Sequence, residues 1–286
     1  MTDYADTIMP EPLMEYWVGL APGAFSVAHL TRKMDLQQLY IDMCERLVQK
    51  GTLEHYNDLR GWYVPRRTDL VELDYVNTDA HEVDLWLPFE ISDIVEIHEG
   101  NVIIISGAPN SGKTALFLNI IKENRHKGWD IHYFSSEMGA AELQKRLKKF
   151  PDIAISQWGF KAYRRSENFH DVIKKGPNSL NLIDFMEVHD EFYKIGKAIK
   201  KVHDALDGAI AIIGLQKNPG NDQGLGGYRT MEVTRLAVAL DYGKIKITKA
   251  KNFRNPEKNP NGKMKDFKLV AGCQIIANDG WYMEKL

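Results

Sequence analysis

Apolar and polar positions change their rhythm near residue 80. Before that point apolar residues recur in short runs at helical spacing. Residues 13–20 predict a first helix. Within 25–34, Ser26 is an N-cap candidate, and Val27, Leu30 and Met34 fall on one helical face. Residues 39–50 predict a third helix with Tyr40, Met43, Leu47 and Val48 inward, stopped by Gly51. Residues 53–56 and 61–64 then predict a hairpin turning through 57–60.

After Gly100 short β-branched runs alternate with amphipathic stretches. Predicted strands cover 101–106, 130–135, 180–184 and 209–215, and predicted helices cover 113–126, 140–149 and 191–206. The tail reads as strands at 237–240, 244–250, 267–273 and 274–282. They are joined by turns at Asp241-Tyr242-Gly243, Asn259-Pro260-Asn261-Gly262 and Asn278-Asp279-Gly280. This is the grammar of an α/β fold: a mostly parallel sheet with helices on both faces and antiparallel C-terminal strands. The expected division is a small domain at 1–76, a linker and entry to the core at 77–99, and the α/β core at 100–286. Three helices and a two-stranded hairpin resemble a winged helix, which binds DNA or docks a protein. Its third helix carries Asp42, Glu45, Arg46 and Lys50, nearly balanced in charge, so Arg66 and Arg67 after the hairpin are the better phosphate candidates.

Gly107-Ala108-Pro109-Asn110-Ser111-Gly112-Lys113-Thr114 satisfies the phosphate-loop pattern G-x-x-x-x-G-K-[ST]. A buried strand is predicted immediately before it and an apolar helix immediately after, the context the pattern requires. The glycines let backbone N–H groups turn inward on phosphates, and the helix presents its positive end. Lys113 is expected to reach the β- and γ-phosphates and the Thr114 hydroxyl to coordinate Mg²⁺. The ligand expected is a nucleoside triphosphate with magnesium, ATP before GTP, since no [NT]-K-x-D guanine-reading stretch is present.

Three further residues close strands on the same side. Asp184 ends the run Leu180-Asn181-Leu182-Ile183, where a magnesium-side carboxylate belongs. Glu137 follows the strand Ile131-His132-Tyr133-Phe134 and either polarises the attacking water or serves as a helix N-terminal charge. Gln216 follows Ile212-Ile213-Gly214-Leu215, where an amide can sense the γ-phosphate.

The ordered blocks resemble a family. His132-Tyr133-Phe134-Ser135-Ser136-Glu137-Met138, with Glu142-Leu143 and Arg146-Leu147 behind it, is similar to the second conserved block of DnaB-type replicative hexameric helicases, a branch of the RecA-like ATPases. Asn181-Leu182-Ile183-Asp184-Phe185 resembles their Walker B strand, and Ile213-Gly214-Leu215-Gln216 their sensor strand. The run Ile247-Thr248-Lys249-Ala250-Lys251-Asn252-Phe253-Arg254-Asn255-Pro256 resembles the basic finger that reaches a neighbouring subunit's nucleotide. The likeness spans residues 84–286. It implies Glu137 as catalytic base, Asp184 on the magnesium side, Gln216 as sensor, and Lys251 and Arg254 as fingers acting in trans. Two residues separate Lys251 from Arg254 where those helicases usually have one, which leaves Lys249 as an alternative finger. The glycine-rich loop 217–230 takes the place of a DNA-contacting loop, with Lys217 and Arg229 as phosphate contacts. The segment before residue 84 does not resemble the all-helical N-terminal domain and linker helix of that family.

The resemblance implies an ATP-hydrolysing, DNA-dependent ATPase of replication or recombination: a helicase motor, a loader or a filament-forming accessory. The alternative is an ATP-switched DNA-binding or signalling module that oligomerises with nucleotide without translocating. Both readings imply ATP, Mg²⁺ and a homo-oligomer, ring or filament; the first and the DNA-binding form of the second also imply DNA, expected single-stranded, and the first domain offers a place for a protein partner.

The composition changes this picture little. Of 286 residues, 44% are apolar and 27% charged, ordinary for a globular chain. The net charge of −2 hides a local excess: nine Lys or Arg lie between Lys244 and Lys268 against Glu257 and Asp266 alone, so an anionic partner competes with a merely solvated hairpin. Met1-Thr2-Asp3-Tyr4 leads into no apolar export segment, no stretch reaches membrane-helix length, and the two cysteines, Cys44 and Cys273, sit in no ligand cluster. A cytoplasmic setting is expected, and a bacterial, phage or mobile-element source suits so compact an arrangement. The run Trp158-Gly159-Phe160-Lys161-Ala162-Tyr163-Arg164-Arg165 reads as core aromatics beside surface arginines in preference to a base-stacking platform.

Overall fold

A computed structural model describes residues 8–67, 70, 72–78, 81–186 and 194–283. The chain divides into two compact units, Met1–Thr78 and Asp79–Leu286.

In the smaller unit, helix α1 (Glu11–Leu20) starts behind Pro10 and buries Met14 and Val18, one helical turn apart. Strand β1 (Phe25–Ser26) follows. Helix α2 (Met34–Gln49) buries Tyr40, Met43, Cys44 and Leu47, and strands β2 (Leu53–His55) and β3 (Trp62–Pro65) form the hairpin. The sheet order is β1-β3-β2. The helix expected over 25–34 is absent. Phe25 and Ser26 pair instead with Tyr63 and Trp62, and only a single 3-10 turn, Val27–His29, remains. Ser26 does cap that turn, with the His29 ring returning to the Ser26 N–H at 3.2 Å. Backbone pairing to β3 outweighs a helical period carried by only three apolar residues.

The larger unit is built on a ten-stranded sheet. In chain order its elements are β4 (Val102–Gly107), α3 (Lys113–Asn124), β5 (Asp130–Ser135), α4 (Ala140–Leu147), β6 (Lys161–Arg164), β7 (Ser179–Asp184) and α5 (Lys194–Ala205). Then come β8 (Ile210–Gln216), β9 (Thr234–Asp241), β10 (Lys244–Ala250), β11 (Lys263–Val270), β12 (Gln274–Ala277) and β13 (Tyr282–Met283). The strands lie in the order β12-β11-β10-β9-β4-β8-β7-β5-β6, with β13 on β11. From β9 to β6 neighbours run parallel, and from β9 to β12 antiparallel. The expected α/β architecture is the observed one.

Alternation along the strands divides the core into two faces. Ile103 and Ile105 of β4 pack with Leu116, Phe117, Ile120 and Ile121 of α3, whereas Val102 and Ile104 pack with Ile195, Ile199 and Val202 of α5. Residues expected as linker and entry are core: Leu85, Leu87, Phe89, Ile91, Val95 and Ile97 are all buried against the α3 face. Their alternating apolar positions cover the sheet without forming a long strand, so their periodicity was too short to announce them. The start of the helix expected at 191 lies outside the described residues, as does the N-terminal tetrapeptide. Strand β6, unexpected, adds an exposed edge beside β5. Ahead of it Trp158 is buried against Phe150 and the half-buried Phe160, so the head of that aromatic run belongs to the core, while Tyr163 on β6 is exposed.

Candidate nucleotide site

Parallel register brings four strand ends to one edge. Gly107 pairs with Gln216, and Ser135 pairs with Asp184, so β4, β8, β5 and β7 all finish there. β9 ends beside them, its Leu240 carbonyl accepting the Ala108 N–H at 3.1 Å.

The loop Gly107–Thr114 turns through Asn110 at φ 58° and Gly112 at φ 98° before α3 begins. Gly112 caps α3 without a side chain, leaving the first N–H groups of the helix directed at the loop. Gly107 is required by closeness: a Cβ there would lie 2.5 Å from Lys113 Cγ and 2.8 Å from Ser111 Oγ. The Lys113 ammonium folds back to the Gly107 carbonyl at 2.9 Å and the Ala108 carbonyl at 3.3 Å, and stands 5.6 Å from the Phe185 ring centre. Ser111 Oγ is buried and has no hydrogen-bond partner, the kind of orphan donor a phosphate satisfies. Together these features fit a nucleotide's phosphates.

Asp184 is buried. Burial pushes its carboxyl above the usual range, opposed by hydrogen bonds from Tyr133 and Thr114 and then by the charges of Lys113 and Arg146. Its contact with Thr114 puts together the hydroxyl and the carboxylate that a magnesium ion takes. Burial pulls the Lys113 ammonium below the usual lysine range, while Asp184 and Glu137 pull it back. Glu137 is exposed on the turn between β5 and α4, yet its charge is felt at Lys113. Gln216 is half-buried at the end of β8, and its carbonyl accepts the Leu225 N–H at 2.8 Å. The structure thus brings Gly107, Ala108, Pro109, Asn110, Ser111, Gly112, Lys113, Thr114, Asp184, Glu137 and Gln216 to one edge.

Other expectations fall elsewhere. Lys217 is no phosphate contact: its side chain is wholly buried, and its ammonium holds Asp241 Oδ1 and the Asn221 carbonyl, each at 2.7 Å. The loop behind it is clamped as well. Gly224 sits so tightly on β4 that a Cβ would come within 2.8 Å of Ser106 Oγ, and Asp222 pairs with Lys246 at 2.6 Å. Asn218, Pro219, Asn221 and Asp222 are exposed but carry no positive charge; Arg229, beside Tyr228 on the 3-10 turn Gly227–Met231, is the exposed cation of the loop.

Lys251 and Arg254 lie at the opposite end of the strands. The Lys251 N–H binds the Arg235 carbonyl at 3.0 Å, while Leu240 marks the loop end of β9. Five strand steps separate those two positions, roughly 17 Å. Lys251 is exposed. Arg254 makes a two-pronged bond to Glu82 at 2.8 and 2.6 Å and reaches the Ser92 carbonyl at 2.9 Å; the Glu82 bond raises its already high basicity. Lys249 binds the Met231 carbonyl, and Lys265 is buried against Glu90 at 2.8 Å. Much of the basic stretch is therefore answered within the chain. Among the described residues no helix is long and apolar enough to cross a membrane, and no cluster of three His, Cys, Asp or Glu could hold a metal.

The sequence reading missed Tyr133, whose hydroxyl donates to Asp184 Oδ2 at 2.6 Å. The available signal was a tyrosine at an inward strand position, since a buried phenol needs a partner.

Residues 92–178 match the family model of the DnaB-like helicase C terminal domain. Among solved structures the chain is similar to a KaiC-like protein from the hyperthermophilic archaeon Pyrococcus horikoshii. That match has 18% identity, a TM-score of 0.55, and covers 70% of this chain and all of that one. No curated protein matches. The larger unit has a RecA-like P-loop fold. It resembles the DnaB-like domain, and the likeness supports a nucleotide-dependent ATPase. The family match includes the phosphate loop and Glu137 but stops before Asp184, Gln216, Lys251 and Arg254. For those four, position in the RecA-like core is the independent observation.

Proposed function

We propose that this chain is an ATP-hydrolysing, DNA-dependent ATPase of replication or recombination, acting as a helicase motor, a loader or a filament-forming accessory. The observation that carries the reading is the convergence of the phosphate loop with Lys113, Asp184 at the end of β7 and Glu137 on the turn after β5 at one edge of the sheet. Lys113 leaves the Gly107 and Ala108 carbonyls to hold the β- and γ-phosphates of ATP. Thr114 and Asp184 would hold magnesium, which when bound would supply positive charge against the phosphates. Glu137 orients a water and takes its proton as the water oxygen bonds to the γ-phosphorus and the bridging bond to ADP breaks. Gln216 reports the γ-phosphate to the loop it begins.

A base on Glu137 also needs charge stabilisation opposite it. Lys251 and Arg254 cannot supply this to their own nucleotide from the far end of the sheet, which supports a role toward a neighbouring subunit in a homo-oligomer. DNA is assigned to the exposed Arg229 and Tyr228. The smaller unit, with α2 ahead of the hairpin and sheet order β1-β3-β2, is proposed as a winged-helix-like module for DNA or a protein partner. One observation favours the alternative, an ATP-switched module that oligomerises without translocating: Arg254 is occupied by Glu82. Lys113→Ala tests the core reading. Nucleotide binding should vanish while the melting transition stays; unchanged ATP turnover would remove the proposal.

A further inference from the structure

The geometry points to Tyr133 as a positioning residue that ties the magnesium-side aspartate to the turn bearing Glu137. The inference rests on the ATPase reading above.

Tyr133 and Ser135 lie two residues apart on β5 and face the same side of the sheet. Ser135 pairs in register with Asp184, so Tyr133 reaches the carboxylate diagonally across the strand pair. The phenol is fully buried and donates to Asp184 Oδ2 at 2.6 Å. Ser135, on the same face two residues along, accepts the Met138 N–H on its hydroxyl at 2.9 Å. The Ser136 N–H meets the Asp184 carbonyl at 3.3 Å. The same strand end thus holds Asp184 twice, by the Tyr133 phenol and by the Ser136 N–H, and closes the turn carrying Glu137 through Ser135 and Met138.

The ring is held from behind. Phe160 packs edge-on at 6.0 Å, Trp158 stands 6.0 Å from Phe160, and Phe150 stands 5.1 Å from Trp158. A carboxylate has two oxygens and free rotation; fixing Oδ2 leaves the other oxygen and the Thr114 hydroxyl in one setting for magnesium. Partners that orient a metal's ligands typically influence affinity as strongly as 10–100-fold.

Tyr133→Phe removes the hydroxyl and keeps the ring. Binding of ATP is measured by calorimetry in EDTA and then at stepped Mg²⁺, alongside a thermal melt. The half-saturating Mg²⁺ for tight binding should rise about tenfold, with affinity in EDTA unchanged. Ser135→Ala, which releases the Met138 N–H and loosens the turn beside Asp184, should move Mg²⁺ dependence in the same direction by less. Identical Mg²⁺ dependence in wild type and Tyr133→Phe overturns the role for Tyr133 and leaves the ATPase reading standing. Equal losses with and without Mg²⁺ mean the hydroxyl is structural only and also overturn it. Wild-type chain that binds ATP with no magnesium dependence defeats the ATPase reading itself.

Discussion

Lys217→Met separates a structural lysine from a DNA contact. The wild-type ammonium is fully enclosed and satisfied by Asp241 Oδ1 and the Asn221 carbonyl, both at 2.7 Å. Methionine keeps the apolar stem and deletes the charge, leaving a carboxylate and a carbonyl facing it. Removing one member of a fully buried pair costs about 3–5 kcal/mol. Asp241 is a third exposed and can recover some water, which lowers the expectation to about 2–3 kcal/mol. For a unit of this size each kcal/mol moves the melting temperature by about 2–4 °C, so the transition should fall by about 4–12 °C. Calorimetry reads this directly. Lys217→Met/Asp241→Asn should recover part of the loss, because neither charge is then stranded. The slope of single-stranded DNA affinity against salt should not change, whereas a lost phosphate contact removes roughly 0.7. An unchanged melting temperature with a flattened slope would refute the buried pair and return Lys217 to the DNA surface.

Three other outcomes follow from the structure. Glu137→Gln should retain ATP affinity and slow hydrolysis by about 10²–10⁴-fold; full turnover with a lower melting temperature would make Glu137 a helix-end charge only. Arg254→Ala and Lys113→Ala should each be inactive alone and regain some hydrolysis when mixed, since one interface then joins an intact phosphate loop to an intact Arg254. Co-assembled but inactive mixtures would argue against a finger in trans. Cys44, whose thiol burial pushes up to about 12, and buried Cys273 should react with a thiol reagent only after unfolding; rapid labelling of the native chain would contradict their burial.

Local patterns were sufficient wherever a feature depends on neighbours in sequence. The phosphate loop declares itself because its glycines, Lys113 and Thr114 must be contiguous to wrap a phosphate. The strands ending at Ser135, Asp184 and Gln216 declare themselves because buried parallel strands are short continuous apolar runs. Tertiary structure decided whatever depends on register between distant segments. Lys217 looked like a free cation beside glycines, but Asp241, 24 residues later, closes on it because β9 ends next to β8's exit across β4. Arg254 meets Glu82 across 172 residues, and Tyr133 meets Asp184 across 51. The helix expected at 25–34 gave way to a strand because its edge finds β3 some 38 residues on, as Phe25 pairs with Tyr63. A side chain's type shows which partner it needs. Only the folded sheet shows which partner it obtains, because pairing energy is set by distance and burial, and neither is written in the order of residues.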